Sequence, residues 1–188
     1  FFASSNQEIY DTLIQAFKLA ERSDVLLPIM ISHNAFILSH TSMPAEIPTQ
    51  KEIDDFLPAY KPTWKLDVDN PTTQGNIIGT EDYEKIRKAM QDAQMNAKKL
   101  IPDIAKEWEK QFGRTHGELF EYYQCEDAEY ILISMGAIGA ESKEAINNLR
   151  KEGLKIGLAR LRVLRPFPTE EIIKLSKQAE LIVIDRNI

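Results

Sequence analysis

The sequence predicts an α/β fold built on a parallel sheet, and three observations in its last third carry that prediction. The stretches 128–135, 155–163 and 181–185 are β-rich apolar runs. Helical patterns over 141–153 and 169–179 separate them. The runs close on distinctive words: Gly136, then Leu164-Arg165-Pro166-Phe167-Pro168, then Asp185-Arg186. Apolar runs without alternation suit strands buried on both faces, and helical connections between them suit crossovers in a parallel sheet. Three strands leave such a sheet with an unfinished edge, so the frame reads as the opening of a domain.

Upstream, Ser5-Asn6-Gln7-Glu8 has the form of a capping box, with Ser5 as N-cap and Glu8 reaching back to its amide. Ile9, Leu13, Ala16, Phe17 and Ala20 follow at helical spacing, which predicts an amphipathic helix over roughly 6–22. The run 25–31 (VLLPIMI) is apolar on both faces and suits a central parallel strand. Pro28 donates no ladder bond, so it marks a bulge or the end of pairing. Residues 32–80 carry Pro44, Pro48, Pro58, Pro62 and Pro71 and read as irregular, with one short helix over 51–56. A stretch this long is expected to wrap over another surface or to pack on a partner. Tyr83, Ile86, Met90, Ala93, Ala97, Leu100, Ile104, Trp108 and Phe112 then form one helical stripe between a Thr80 N-cap and Gly113. Pro102 inside it predicts a kink or a break. Residues 114–127 read as a polar connection and place a domain boundary.

Composition bounds the function. The net charge of -6 argues against a nucleic-acid partner, which requires a basic surface. No apolar stretch reaches the length of a membrane span. The opening Phe1-Phe2-Ala3-Ser4 lacks Met and has no signal-peptide pattern, and reads as a cut chain or a piece of a longer protein. The single cysteine, Cys125, permits no internal disulfide and cannot hold an iron–sulfur cluster alone. It suits a reducing, cytoplasmic setting.

Few constellations carry chemistry. His33 and His40 stand seven residues apart, with Ser39 beside the second, but no carboxylate or cysteine completes a metal set with them or with His116. His40 suits a structural or interface role, or contact with a cofactor or substrate site. Ser134-Met135-Gly136-Ala137-Ile138-Gly139 links a strand to a helix, where α/β folds bind phosphate. Its G-x-x-G spacing differs from the dinucleotide fingerprint, and a tight turn without ligand is the favoured reading; a small nucleotide-binding domain is the alternative. Arg160, Arg162 and Arg165 recur at and beyond the second run, suited to structure, an interface or an anionic ligand, and Phe167 can plug the core. Asp185 and Arg186 point to opposite faces and serve separate contacts. The chain has no G-x-x-x-x-G-K-[ST] loop, no G-x-S-x-G elbow and no Cys–His nucleophile pair, so it predicts no self-contained catalytic machinery.

Taken in order, several words add up to a family. They are Ala3-Ser4-Ser5-Asn6-Gln7-Glu8, the run 26–30, Phe36 with Ser39-His40, Gly113-Arg114, Glu126-Asp127-Ala128-Glu129, Ser134-Met135-Gly136, Arg160-Leu161-Arg162 with Arg165-Pro166-Phe167-Pro168, and Asp185-Arg186. Through them the chain resembles the alpha subunits of the 2-oxoacid:ferredoxin oxidoreductases, most closely the pyruvate synthase (pyruvate:ferredoxin oxidoreductase) type. The resemblance implies a thiamine-diphosphate enzyme that decarboxylates a 2-oxoacid, passes two electrons through iron–sulfur clusters to ferredoxin and transfers the acyl group to coenzyme A. It implies that residues 1–115 are the later part of the domain covering the cofactor's aminopyrimidine. Residues 124–188 would begin a domain like the transketolase C-terminal domain. It places the cofactor-activating glutamate and the substrate-contacting threonine and arginine ahead of Phe1. The diphosphate–magnesium motif belongs to another subunit. No catalytic, cofactor-binding or metal-binding residue is therefore carried over, and this chain alone is expected to bind no cofactor and to be inactive. The implied partners are the thiamine-diphosphate and iron–sulfur subunits and, through them, ferredoxin. Where the family reads Asp-Gly before Phe36, this chain has Asn34-Ala35. A non-catalytic α/β interaction module is the rival reading.

Overall fold

The computed structural model describes residues 1–75 and 77–185. Helix α1 spans Asn6–Ala20, α2 Gln50–Phe56 and α3 Thr80–Phe112. Strand β1 (Phe120–Tyr123) and β2 (Tyr130–Met135) follow, then α4 (Gly136–Lys151), β3 (Ile156–Leu161), α5 (Thr169–Gln178) and β4 (Glu180–Val183). The sheet order is β1-β3-β2-β4. β2 is parallel to both β3 and β4, with α4 and α5 as the connections, as the apolar runs predict. β1 is the addition. It lies antiparallel on β3 within the stretch read as a polar connection, pairing Phe120 with Leu161 and Tyr123 with Leu158.

Alternation along the central strands divides the sheet into two faces. Ile131, Ile133, Ala159 and Leu161 enter one core with Leu19 of α1, Phe56 of α2 and Ile101, Ile104 and Trp108 of α3. Leu132, Ile156 and Leu158 enter a second, smaller cluster with Ile146 of α4. The first core is thus shared by the early helices and the late sheet.

Three expectations require correction. The run 25–31 is not a strand within this structure. The nearest bridge among the described residues pairs Phe2 with Ser32, just past the run, and Leu26 has a positive φ of 43°. Pro28 supplies no N–H, and Met30 is 78% exposed, so only one side of the run packs. The long helix does not break at Pro102: α3 is continuous for 33 residues. Proline costs it one backbone bond, roughly 3 kcal/mol in a helix interior, but the buried Ile101, Ile104, Ala105 and Trp108 hold the following turns against the core. Phe167 does not plug the core either; Pro166 and Pro168 take the inward positions and Phe167 is exposed.

The stretch 32–80 divides into two parts. Its first part is tied down: Asn6 Nδ2 donates to the Thr41 carbonyl, Gln7 exchanges bonds with Glu46, and Phe56 meets Trp108 edge-on at 5.1 Å. The capping box Thr49–Glu52 starts α2. Between Leu57 and Thr80 the described residues carry no helix or strand, and Trp64, Leu66, Val68 and Ile77 are 70–101% exposed. The first turns of α3, including Tyr83 and Ile86, are exposed as well.

Candidate functional site

The sequence directs attention to the arginines on and just past β3, and the structure places two of them, Arg160 and Arg162, around one carboxylate. Ser5 caps α1 through a bond from the Glu8 amide to its Oγ (3.1 Å). The Glu8 side chain does not return to the Ser5 amide as a full capping box would. It accepts from the amide and hydroxyl of Ser4 (2.8 and 2.9 Å), from Arg160 Nη2 (3.1 Å) and from Arg162 Nε (3.1 Å). All three charged side chains are 1% exposed. Arg160 also donates to Glu121 (2.6 Å) and to the carbonyls of Phe2 and His116. Arg162 donates to the carbonyls of Gly117 and Glu118, to Thr12 Oγ1 and to Gln15 Oε1. Its pKa is lowered, first by burial and against the opposing pull of Glu8. Arg162 makes five bonds to protein acceptors and Arg160 four, so the two guanidiniums form a structural junction rather than an open anion site.

The helix that meets them is built unusually. Glu8, Asp11, Thr12 and Gln15 recur at helical spacing and are all buried. The predicted apolar stripe is not the packed face, because Leu13 and Phe17 are about half exposed. Polar residues turn inward here because the late segment brings cations to meet them. Asp11, for example, receives a two-pronged pair from Arg114 (both 3.1 Å), Gln7 Nε2 (2.8 Å) and His116 Nε2 (2.8 Å). Burial raises the Asp11 pKa, but bonds from His116, Arg114 and Gln7 outweigh it and leave the pKa lowered. A carboxylate with a lowered folded pKa contributes its full stability above the ordinary value of 3.8 and loses it as pH falls through the folded value. Asp11→Asn should therefore lower stability near neutral pH and flatten the acid limb of the stability profile, measured by urea unfolding at a series of pH values. An unchanged acid limb would refute this.

The turn after β2 is filled from within the chain. The Ala137 amide at the start of α4 donates to Asn34 Oδ1 (2.8 Å). Gly136 has φ 60°, and a Cβ there would stand 2.4 Å from that oxygen. Asn34 thus makes a polar contact at the position where the resembling family carries Asp, and it occupies the helix end that a phosphate would need. Just beyond it, Ser39 Oγ accepts from the Phe36 amide and bonds His40 Nδ1 (2.7 Å), with the His40 ring stacked on Phe36. His33 is exposed. No group of three or more His, Cys, Asp or Glu side chains that could hold a metal occurs among the described residues. Cys125 is buried, its pKa raised first by burial, and its thiol donates to the Leu158 carbonyl (3.1 Å). This donor set does not fit a magnesium–diphosphate site or an iron–sulfur cluster. Arg165 is exposed, with its guanidinium 5.8 Å from the Phe167 ring, and borders an apolar cavity of about 360 Å³. Arg186 lies outside the described residues, so the Asp185-Arg186 reading is not placed. No described helix is long and apolar enough to cross a membrane.

Comparison with known proteins gives this geometry a context. Residues 1–106 match the family described as "Pyruvate flavodoxin/ferredoxin oxidoreductase, thiamine diP-bdg". The chain belongs to this family. Residues 128–188 also match "Pyruvate:ferredoxin oxidoreductase core domain II". The pyruvate synthase subunit PorA of Pyrococcus furiosus is 42% identical over 100% of this chain and 48% of its own length. The PorA of Methanocaldococcus jannaschii is 41% identical over 100% of this chain and 49% of its own. The ketoisovalerate oxidoreductase subunit VorA of Pyrococcus abyssi is 39% identical over 100% and 47%. The chain spans about half the length of these relatives. The Glu8–Arg160–Arg162 junction lies between the two matched regions. The signal that could have revealed it is the polar spacing on α1, which an apolar-stripe reading passes over.

Proposed function

We propose that this chain is part of the alpha subunit of a 2-oxoacid:ferredoxin oxidoreductase. The enzyme would oxidatively decarboxylate pyruvate, form acetyl-CoA and reduce ferredoxin in the cytoplasm. The observation that carries this reading is the match of residues 1–106 to a thiamine-diphosphate-binding family, together with relatives named pyruvate synthase subunits along the full chain. Pyruvate is chosen over a branched 2-oxoacid because the motifs of the chain look closest to the pyruvate synthase type; the identities to PorA (38–42%) and VorA (39–40%) overlap. In this proposal residues 1–115 are one wall of the cofactor domain. Residues 124–188 open a transketolase-C-terminal-like domain, and the Glu8 junction sets one against the other. In the same proposal thiamine diphosphate, magnesium and the clusters are held with other subunits. The exposed stretch 58–75 is the surface offered to those subunits, since its Trp64, Leu66 and Val68 are left uncovered.

The test is reconstitution. The assembled enzyme carrying this chain should reduce ferredoxin with pyruvate and coenzyme A. This chain alone, given pyruvate, coenzyme A, thiamine diphosphate and ferredoxin, should yield no acetyl-CoA. Turnover by the isolated chain would overturn the proposed division of labour, and an assembled enzyme active only on 2-oxoisovalerate would overturn the choice of substrate.

A further inference from the structure

The backbone around Phe1 is a parallel ladder caught partway. The Ser32 amide donates to the Phe1 carbonyl (2.8 Å) and the Ala3 amide donates to the Ser32 carbonyl (2.9 Å). These two bonds form the bridge between Phe2 and Ser32. The Phe1 nitrogen donates in turn to the Met30 carbonyl (2.8 Å), which is half of the next bridge in the same register. The other half requires the Met30 amide to donate to the carbonyl of the second residue ahead of Phe1. Among the described residues the Met30 amide has no acceptor. One step further the register reaches Pro28, which has no N–H, and the ladder must stop.

Three further observations bear on this edge. The run 25–31 has the continuous apolar pattern of a strand buried on both faces, yet Met30 and Leu26 are exposed. Leu27, Ile29, Met30 and Phe1 line one side of the 360 Å³ apolar cavity, and Met90 and Ala97 of α3 line another. Relatives that align along all of this chain extend to about twice its length.

We infer that 27–32 is an inner strand of a larger parallel sheet, and that its neighbour beside Phe1 is the stretch of the same subunit that runs into Phe1. That stretch enters extended, pairs as far as Pro28 and lays apolar side chains into the cavity between the strand and α3. A segment of the same chain fits better than a strand from another molecule, because the register is already set by the Phe1 and Ala3 bonds. The inference rests on the chain being part of a longer alpha subunit.

Hydrogen exchange resolved at single amides, on the longer subunit and on this chain, tests it. The Ala3 and Ser32 amides, bonded in this structure, report that the fold is intact. The Met30 amide should exchange freely in this chain and slow by about two orders of magnitude or more in the longer subunit. Free exchange at Met30 in a longer subunit whose Ala3 and Ser32 amides are protected would overturn the inference. So would protection of Ile29 and Ile31 alone, since those amides face the opposite edge and would report a strand from elsewhere. A parent subunit no longer than this chain would instead sink the reading on which the inference rests.

Discussion

Glu8→Gln should lower the stability of the subunit by roughly 3–5 kcal/mol, the range found when one member of a buried ion-pair group is removed. The substitution keeps the shape and removes the carboxylate that bonds both Arg160 and Arg162. Arg160 retains Glu121. Arg162 then has only neutral acceptors: Thr12, Gln15 and the carbonyls of Gly117 and Glu118. Its guanidinium, 1% exposed, cannot be rehydrated without opening the contact between α1 and β3. Arg162→Met should cost less, because Glu8 keeps Arg160 and the bonds from Ser4. Urea unfolding of the three proteins gives the order. A Glu8→Gln loss below about 1 kcal/mol, the usual worth of an exposed pair, would mean that the junction is wetter than its geometry.

Trp108→Ala should be comparable, at about 3–5 kcal/mol. Trp108 is 1% exposed and packs with Phe56 at 5.1 Å and Phe112 at 4.0 Å between ring centres. Truncation would leave a cavity beneath α2 and loosen that helix within the long irregular segment. Trp108→Phe should be far milder than its lost volume suggests. The indole Nε1 is buried with no acceptor among the described residues, so phenylalanine removes an unsatisfied donor along with the second ring. If the two substitutions cost the same, the aromatic cluster is not what anchors α2.

The contrast between these two sites explains what the sequence disclosed. Apolar content is legible where it is continuous: β3 is buried at all six positions and β2 at four of its six. Trp108 belongs to that class, predicted as part of the α3 stripe and found in the core. Glu8 does not. A buried carboxylate is stable only if distant cations reach it, and nothing local in Ser5-Asn6-Gln7-Glu8 announces residues more than 150 positions away. The same limit hid β1, whose Phe120-Glu121-Tyr122-Tyr123 is a short edge strand with Glu121 turned to Arg160. It also misassigned the packed face of α1. In the other direction, the apolar run 25–31 reads as a paired strand, yet the one bridge beside it among the described residues falls on Ser32.

The span of the Glu8 contacts also imposes an order of events during synthesis. Helix α1 leaves the ribosome well before β3, but its inward face carries Glu8, Asp11, Thr12 and Gln15, whose cationic partners are Arg114, Arg160 and Arg162. At about 5–20 residues per second, α1 waits on the order of 8–30 s before Arg162 exists. Throughout that interval its polar stripe must remain in water, and the neighbouring Leu13 and Phe17 are available to other surfaces. The nascent chain is therefore held open by its own charges until the sheet arrives to neutralise them.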